Sequence, residues 1–418
     1  MIPWRTPPEI ASHYTLMWKK VFDILKSKTT LQLVWVVYMP DKIFPKTQNP
    51  FEEVLDIHDF KDATQIIKKE NPDLVIALAN YSFIDYAISL AAKNHGIPVI
   101  SGFTKVFADQ RLPLKSSLNM FLQNTTPTDN EFSQKQPMRR GRFFIFKYLF
   151  LLKTQIQIKQ NIFKILKSFL LLLKIYLFWS SKLYLNPTFQ NSLHWLSSED
   201  LKKDLIDAGF DENSIIVTGN PLFDDVFKNV HSQNFSKSKK CRILFAPATL
   251  YEHGICTKEQ QDKAITEIIQ KIQQNSDKFS LIVKIHPSSA IFSQYKTLIH
   301  NIDNSIPLFQ KGGLTNYIEN ADVIITFSDT FALVESVLYK KPIIVYNFAN
   351  MKNDVILERN LSVECNNIDN FLPLLSKVIS ENPITDEKLS KFVKDFFYKS
   401  DGKAAERISN AILKLLKK

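Results

Sequence analysis

Glycine is scarce, with 9 in 418 residues, against a usual share of about 7%. Glycine-built phosphate loops are therefore nearly excluded, and neither GxGxxG nor GxxxxGK followed by Ser or Thr occurs. Cysteine is scarcer: Cys241, Cys256 and Cys365. An odd, small number argues against a disulfide framework and for a reducing compartment. The three lack the CxxC spacing of a zinc site, and no metal is expected. The opening, MIPWRTPPEI, has no basic stretch leading into an apolar one, so no secretory signal is read. Acid is missing from one long stretch, since no Asp or Glu lies between Glu131 and Glu199. Lys135, Arg139, Arg140, Arg142, Lys147, Lys153, Lys159, Lys164, Lys167, Lys174 and Lys182 fall inside it, as many as the whole net charge of +11. The rest of the chain sums to zero, so a partner chosen by charge is a partner of this segment.

What is present is an alternating α/β pattern in a chain of globular composition, 45% hydrophobic and 23% charged. Residues 11–28 read as an amphipathic helix and 31–39 as a buried strand. Residues 63–79 read as helix, Asn-Pro turn and strand, and 82–101 as a helix ending near Gly96 before a short strand. After a long polar loop over 102–140, the pattern returns at 199–209, a helix capped by Ser197 or Ser198 and closed by Gly209. HSQNFSKSKK, 231–240, is the best domain boundary. Beyond it, strands at 241–247, 279–287, 321–327 and 342–348 alternate with helices at 258–274, 292–302, 315–320 and 329–341. The expected architecture is α/β: two doubly wound Rossmann-like domains with a basic apolar helical insertion in the first. The expected bounds are an acceptor-side domain over 1–230, a nucleotide-binding domain over 241–385, and C-terminal helices over 386–418. In such sheets ligands bind at the carboxyl ends of strands, and with two domains the expected site is the cleft between them.

Three runs fall at strand ends of the second domain. Lys284-Ile285-His286-Pro287 ends an apolar strand where Pro287 forces a turn. His286 there suits a phosphate, or equally a nearby strand-end carbonyl. Thr326-Phe327-Ser328-Asp329-Thr330 runs from strand into a hydroxyl-rich helix start, with Glu335 following. Free backbone N–H groups and the helix dipole make such a turn an anion site, although Ser328 or Asp329 also reads as an ordinary cap. Glu335 is placed for a ribose hydroxyl. Ala246-Pro247-Ala248-Thr249, followed by His253-Gly254, is the third run. In the first domain Gly219 and Asn220, within Thr218-Gly219-Asn220-Pro221, allow a sharp turn. Asp224-Asp225 is too little for a metal. Early titratable candidates for a base are His13, Asp41, Glu52, Glu53, His58 and His95, the last reading as a helix end.

The lines SEDLKKDLIDAGFDENSIIVTGNPLFD, ILFAPAT, LIVKIHP and ADVIITFSDTFALVESVLYKKPIIVYNF resemble the nucleotide-binding half of GT-B-fold glycosyltransferases. Capsule and surface-carbohydrate proteins and CDP-glycerol glycerophosphotransferases are the nearest in style. The resemblance implies that Ser328, Asp329 and Thr330 hold donor phosphates, that Glu335 holds the ribose, and that His286 sits by the phosphates. Thr249, Lys284, Gly219 and Asn220 complete the expected donor site. It further implies a nucleotide-sugar substrate, base unknown, with no bound cofactor or metal. UDP-N-acetylglucosamine 2-epimerases are similar along the VTGNP line. Their His-x-Glu-Ala-Gly run after a Pro-Val strand is replaced here by Pro98-Val99-Ile100-Ser101-Gly102-Phe103, and their Asp-Ser-Gly-Gly turn by Phe327-Ser328-Asp329-Thr330. The Trp-His-Gly run of the glycerophosphotransferases is also missing. A GT-B first domain opens with a strand, whereas MIPWRTPPEI reads as a lead into a helix. Either that domain is shortened or its first strand lies outside this chain.

Residues 142–182 are basic and apolar. Their longest uncharged run, Ile175–Ser181, is far short of the roughly 18 residues a spanning helix needs. The expectation is an interfacial helix on an anionic membrane surface; a buried hairpin with snorkelling lysines is the other reading. Continuous Leu and Ile speak against nucleic acid. Together these readings imply a glycosyltransferase, cytoplasmic and peripheral on the inner membrane face, moving sugar to a lipid-linked or surface-glycan acceptor. The alternatives are a CDP-alditol phosphotransferase, a diverged epimerase, or a non-catalytic module of the same shape.

Overall fold

The computed structural model describes residues 1–4, 13–37, 52–77, 82–103, 140–178, 185–230, 239–252, 255–286, 292–310, 313–327, 331–351 and 355–417. Two compact units result. The first takes the described residues up to Asp224 together with those from Lys394 onward, and the second runs from Asp225 to Val393.

The first unit carries β1 (Ile2–Trp4), α1 (His13–Lys26), β2 (Leu33–Val37), β3 (Glu52–Asp56), α2 (Ala63–Glu70), β4 (Val75–Ala77), α3 (Phe83–Asn94) and β5 (Val99–Phe103). After these come α4 (Arg140–Gln157), α5 (Ile162–Phe178), β6 (Leu193–Leu196), α6 (Glu199–Asp207) and β7 (Ile215–Val217), and α7 (Asp224–Asn229) starts on the last residue before the chain leaves this unit and runs into the second unit. The helix ends follow the local chemistry. Asp62, Ser82 and Ser198 cap α2, α3 and α6 by accepting from backbone N–H groups, and α2 stops at Asn71, left-handed at φ 39°, before Pro72. The opening corrects one expectation: Ile2–Trp4 forms a strand, parallel to β2, where a lead into a helix was read. Three residues are too few to show a period.

Strands β3-β2-β1 and β4-β5-β6-β7 pair in parallel throughout. The Ile76 N–H donates to the Met1 carbonyl at 2.9 Å, which sets β1 beside β4. The sheet therefore reads outward in both directions from its earliest strands, as a doubly wound fold does. β2 is buried along its whole length, as expected of a parallel strand covered on both faces.

The acid-free stretch folds as a hairpin, α4 and α5 joined through Lys159 at φ 55°. Phe150, Leu151, Leu172 and Ile175 share a core with α2, α3 and β4. Thr154 Oγ1 accepts from the Ala63 N–H at 3.0 Å, and Gln155 Nε2 donates to Ser168 Oγ at 2.8 Å, which ties one helix to the other.

The second unit carries β8 (Cys241–Phe245), α8 (Lys258–Gln273), β9 (Phe279–Lys284), α9 (Phe292–Ile302), β10 (Leu308–Phe309), α10 (Thr315–Asn320), β11 (Val323–Thr326), α11 (Phe331–Leu338) and β12 (Ile343–Tyr346). Next are α12 (Val355–Glu358), β13 (Val363–Cys365), α13 (Phe371–Ser380) and α14 (Asp386–Phe396), and the chain closes with α15 (Ala404–Leu416), which packs in the first unit. The sheet order is β10-β9-β8-β11-β12-β13, all parallel. Counted from its own first strand this is 3-2-1-4-5-6, and the order reverses between β8 and β11.

Candidate functional site

The strand order reverses between β8 and β11, and in a doubly wound sheet such a reversal marks the ligand-binding crevice at the carboxyl edge. Three of the candidate runs leave this edge side by side, from β9, β8 and β11. Ala246 N–H donates to the Ile325 carbonyl at 2.9 Å, so the β8 loop starts in register with β11. Thr249 follows, 5% exposed. That loop is pinned from below: Gln261 Oε1, on α8, accepts from the Tyr251 N–H at 2.9 Å. Gln261 Nε2 also donates to the Tyr295 hydroxyl, which donates on to Glu252 Oε1 at 2.9 Å.

On β9, Lys284 is buried at 4% exposure. Its ammonium donates to the Gln310 carbonyl at 2.5 Å and lies 6.0 Å from the Tyr317 ring centre. Burial pulls its pKa below the usual lysine value. His286 stands two residues past the strand, half-buried. On α11, Glu335 is 7% exposed, and its Oε2 accepts from Thr315 Oγ1 at 3.1 Å. A carboxylate kept from water must be hydrogen-bonded, and α10 supplies that hydroxyl. Ser328, Asp329 and Thr330 lie outside the described residues, as do His253, Gly254 and Asp41. Thr249, Lys284 and His286 thus lie at or just past the carboxyl ends of β8 and β9, and Glu335 lies on the helix that follows β11.

Gly219 and Asn220 belong to the first unit. Gly219 has φ 86°, and a Cβ there would stand 3.3 Å from Ala404 Cβ. Asn220 Oδ1 accepts from the Leu222 N–H at 3.0 Å. Of the early titratable residues, His95 is the helix end expected, its Nδ1 2.9 Å from the Ala91 carbonyl. His58 pairs with Asp56, Nδ1 to Oδ1 2.6 Å, and stacks on Phe146 with ring centres 4.6 Å apart. Despite burial, its hydrogen bonds to His58 hold the Asp56 carboxyl below its ordinary value.

Thr315, Gln310, Tyr317 and the Gln261–Tyr295–Glu252 chain were not foreseen as part of this edge. The one signal for them was the short polar helix 315–320, whose side-chain partners no local pattern reveals. Burial pushes the Cys241 and Cys256 thiols up to about 11, so both are protonated at neutral pH and neither is an activated nucleophile. Among the described residues, no group of three or more His, Cys, Asp or Glu side chains is placed to hold a metal ion.

Residues 190–413 match the family model described as UDP-N-acetylglucosamine 2-epimerase. The chain belongs to this family. Solved structures of UDP-N-acetylglucosamine 2-epimerase type share its fold. MnaA of S. aureus, in a co-structure with UDP, is 15% identical at a TM-score of 0.53, covering 100% of this chain and 96% of that one. The Neisseria meningitidis UDP-GlcNAc 2-epimerase, bound to UDP-GlcNAc, is 14% identical at a TM-score of 0.50, covering 99% of each. The wall teichoic acid polymerase TagF is 13% identical at a TM-score of 0.50, covering 96% of this chain and 85% of that one. No curated protein matches the sequence. The epimerase-family match takes in the whole carboxyl edge described above and stops short of the first 189 residues. The likeness along the VTGNP and KIHP lines is therefore one of family over residues 190–413 and of fold for the rest.

Proposed function

We propose that the chain holds a nucleotide-activated sugar at the carboxyl edge of its second sheet and transfers the sugar to a lipid-linked or surface-glycan acceptor at the cytoplasmic face of the membrane. The observation that carries this reading is the buried Glu335 carboxylate on the helix that follows β11, one of the two strands at the order reversal, within the residues the family model matches. Glu335 takes the ribose hydroxyls, with Thr315 steering one of its oxygens. Ser328, Asp329, Thr330 and the first turn of α11 hold the phosphates on free N–H groups and the helix dipole. Lys284 at the end of β9 and His286 two residues past it bring positive charge that stabilises the departing nucleotide without a metal. Thr249 closes the site from the β8 loop. Gly219 and Asn220, in the first unit, complete the expected donor set.

A second reading, epimerisation of UDP-GlcNAc, is favoured by the family match. The strand that carries the epimerases' His-x-Glu-Ala-Gly run speaks against it. In this chain its end is packed shut: Ser101 bonds His194, and a Cβ on Gly102 would sit 2.0 Å from the Trp195 ring.

The test is thermal stabilisation by UDP, UDP-GlcNAc, CDP-glycerol and other nucleotides and their sugars. A ligand at about 100 times its Kd adds about 2.7 kcal/mol. One nucleotide class should raise the melting temperature, and Glu335→Ala and His286→Ala should each cut the affinity at least tenfold. Unchanged affinity in both variants would remove the site. Product analysis then separates a glycosidic bond from a phosphodiester and from free epimerised sugar. Donor turnover no faster than in heat-killed protein would leave a binding module.

A further inference from the structure

The α4–α5 hairpin presents an outward face that its own packing does not use. At its tip Ile156, Ile162 and Phe163 are 60%, 68% and 78% exposed. Up its flanks Leu149, Leu166 and Leu170 are 42%, 55% and 47% exposed. Elsewhere among the described residues, exposed large apolar side chains stand one to an element: Ile206, Tyr251, Phe309, Ile379 and Leu416. Single exposed residues are ordinary, whereas a contiguous cluster marks an interaction surface. The cluster is not a core face left open by a loose helix. The opposite side of the hairpin is buried, with Thr154 on the N-terminus of α2 and Gln155 bridging to Ser168.

Charge decides the occupant. Lys153, Lys159, Lys164, Lys167 and Lys174 are exposed among these apolar residues, and no acidic residue occurs from 132 to 198. We infer that the hairpin is a dock for an anionic lipid bilayer. It would lie in the headgroup layer with Phe163, Ile162 and Leu166 in the acyl boundary and the lysines on phosphates. Each lysine near an anionic leaflet adds about fivefold in affinity. A second copy of the chain fits poorly, since a two-fold contact through this face would oppose like charges. Among the described residues no helix is long and apolar enough to cross a membrane, which matches a segment lying in the interface.

This inference rests on the membrane-face reading of the activity and supplies its anchor. The experiment is flotation of the full chain with vesicles of phosphatidylcholine, alone or with one-third phosphatidylglycerol, at low and high salt. Binding is expected only with the anionic vesicles and should fall at least tenfold at high salt. Lys164→Gln with Lys167→Gln should weaken it at least tenfold, and Phe163→Ser with Leu166→Ser should abolish it. All these side chains are exposed, so the nucleotide-induced thermal shift should survive in every variant. No flotation at low salt, or flotation indifferent to Phe163→Ser with Leu166→Ser, overturns the dock. So does a wild-type dimer that this double variant converts to monomer. The two readings fail separately. Vesicle binding without a nucleotide shift removes the donor site and keeps the dock; a shift without vesicle binding does the reverse.

Discussion

His194 shows how much of a titratable residue's role is set by its neighbours. Its Nε2 accepts the Asn191 N–H at 2.8 Å, so the proton sits on Nδ1, 2.7 Å from Ser101 Oγ. The ring is fully buried, and burial first, then the charge of Lys93, pulls its pKa down to about 3. Unfolded, it titrates near 6.5. Between these values the unfolded chain binds the extra proton, so stability rises with pH across that window. The contribution of the neutral ring is complete above about pH 6.5 and is lost as pH falls toward 3, at up to about 1.4 kcal/mol per pH unit. Urea midpoints from pH 8 to 4 should show this slope in the first unit. His194→Gln should be less stable at pH 7 but flatter with pH. Equal slopes would assign the acid limb to other groups. The sequence offered His13, His58, His95, His253 and His286 as notable and passed over His194, because a four-residue strand, LHWL, carries no readable alternation. Lys284 and His286 stood out for the opposite reason: Lys284 ends, and His286 closely follows, the six-residue apolar strand β9, while Glu335 was picked out by the hydroxyl-rich turn before its helix. Their partners Thr315, Gln310 and Tyr317 lie some twenty to thirty residues away in the chain. Tertiary packing alone brings them close.

At the scale of elements, α15 has an N-terminus that its own sequence does not satisfy. Lys403 at the cap position makes no side-chain bond to the helix. The missing acceptor comes from Asp224, whose two oxygens accept from the Ala404 and Ala405 N–H groups at 3.0 and 2.9 Å. Arg407 then donates through Nε to the Thr218 carbonyl at 2.7 Å and pairs through Nη1 with Asp401. The Thr-Gly-Asn-Pro turn and the Asp224 after it are therefore the seat of this helix, and the turn favours Gly219 because its φ of 86° strains any side chain, which would also crowd Ala404. Asp224→Ala should cost about 1–3 kcal/mol, the loss of a buried charged cap that leaves two N–H groups bare. Asp224→Asn, which keeps an acceptor, should cost less. Urea unfolding with an unchanged m-value checks both, and an Ala variant as stable as the parent would return Asp224 to the surface charges. The sequence marked 386–418 as helical, and α14 and α15 are there. It could not show that α15 is capped from 180 residues upstream, because capping in trans leaves no local motif.

At the scale of the whole molecule, the chain leaves its first unit at Asp224 and re-enters it at Lys394. One core of that unit is built around Trp18, Trp35 and Trp195, and it is closed by Ala405, Ile408 and Ile412 from α15. Ile408 and Ile412 are 0% and 1% exposed, and burial of such a side chain is worth about 1.5–3 kcal/mol. Two such residues, with Asp224 no longer bonded to α15, amount to a large part of the 5–15 kcal/mol that typically holds a domain together. The second unit's core, Phe245, Ile268, Val283, Ile325, Phe327 and their neighbours, is drawn wholly from between Cys241 and Val378. The two units should therefore differ in their need for the chain's end. The full chain should unfold in two calorimetric transitions. A chain ending at Gly402 should lose one of them and bind an apolar dye through the uncovered faces of α1 and the first sheet. Its remaining transition should still move upward with whichever nucleotide stabilises the full chain, because Glu335, Thr315 and the carboxyl edge need nothing from α15. Loss of both transitions on truncation would mean that the second unit folds only as part of the whole. Survival of both would mean that the tryptophan core stands without Ile408 and Ile412.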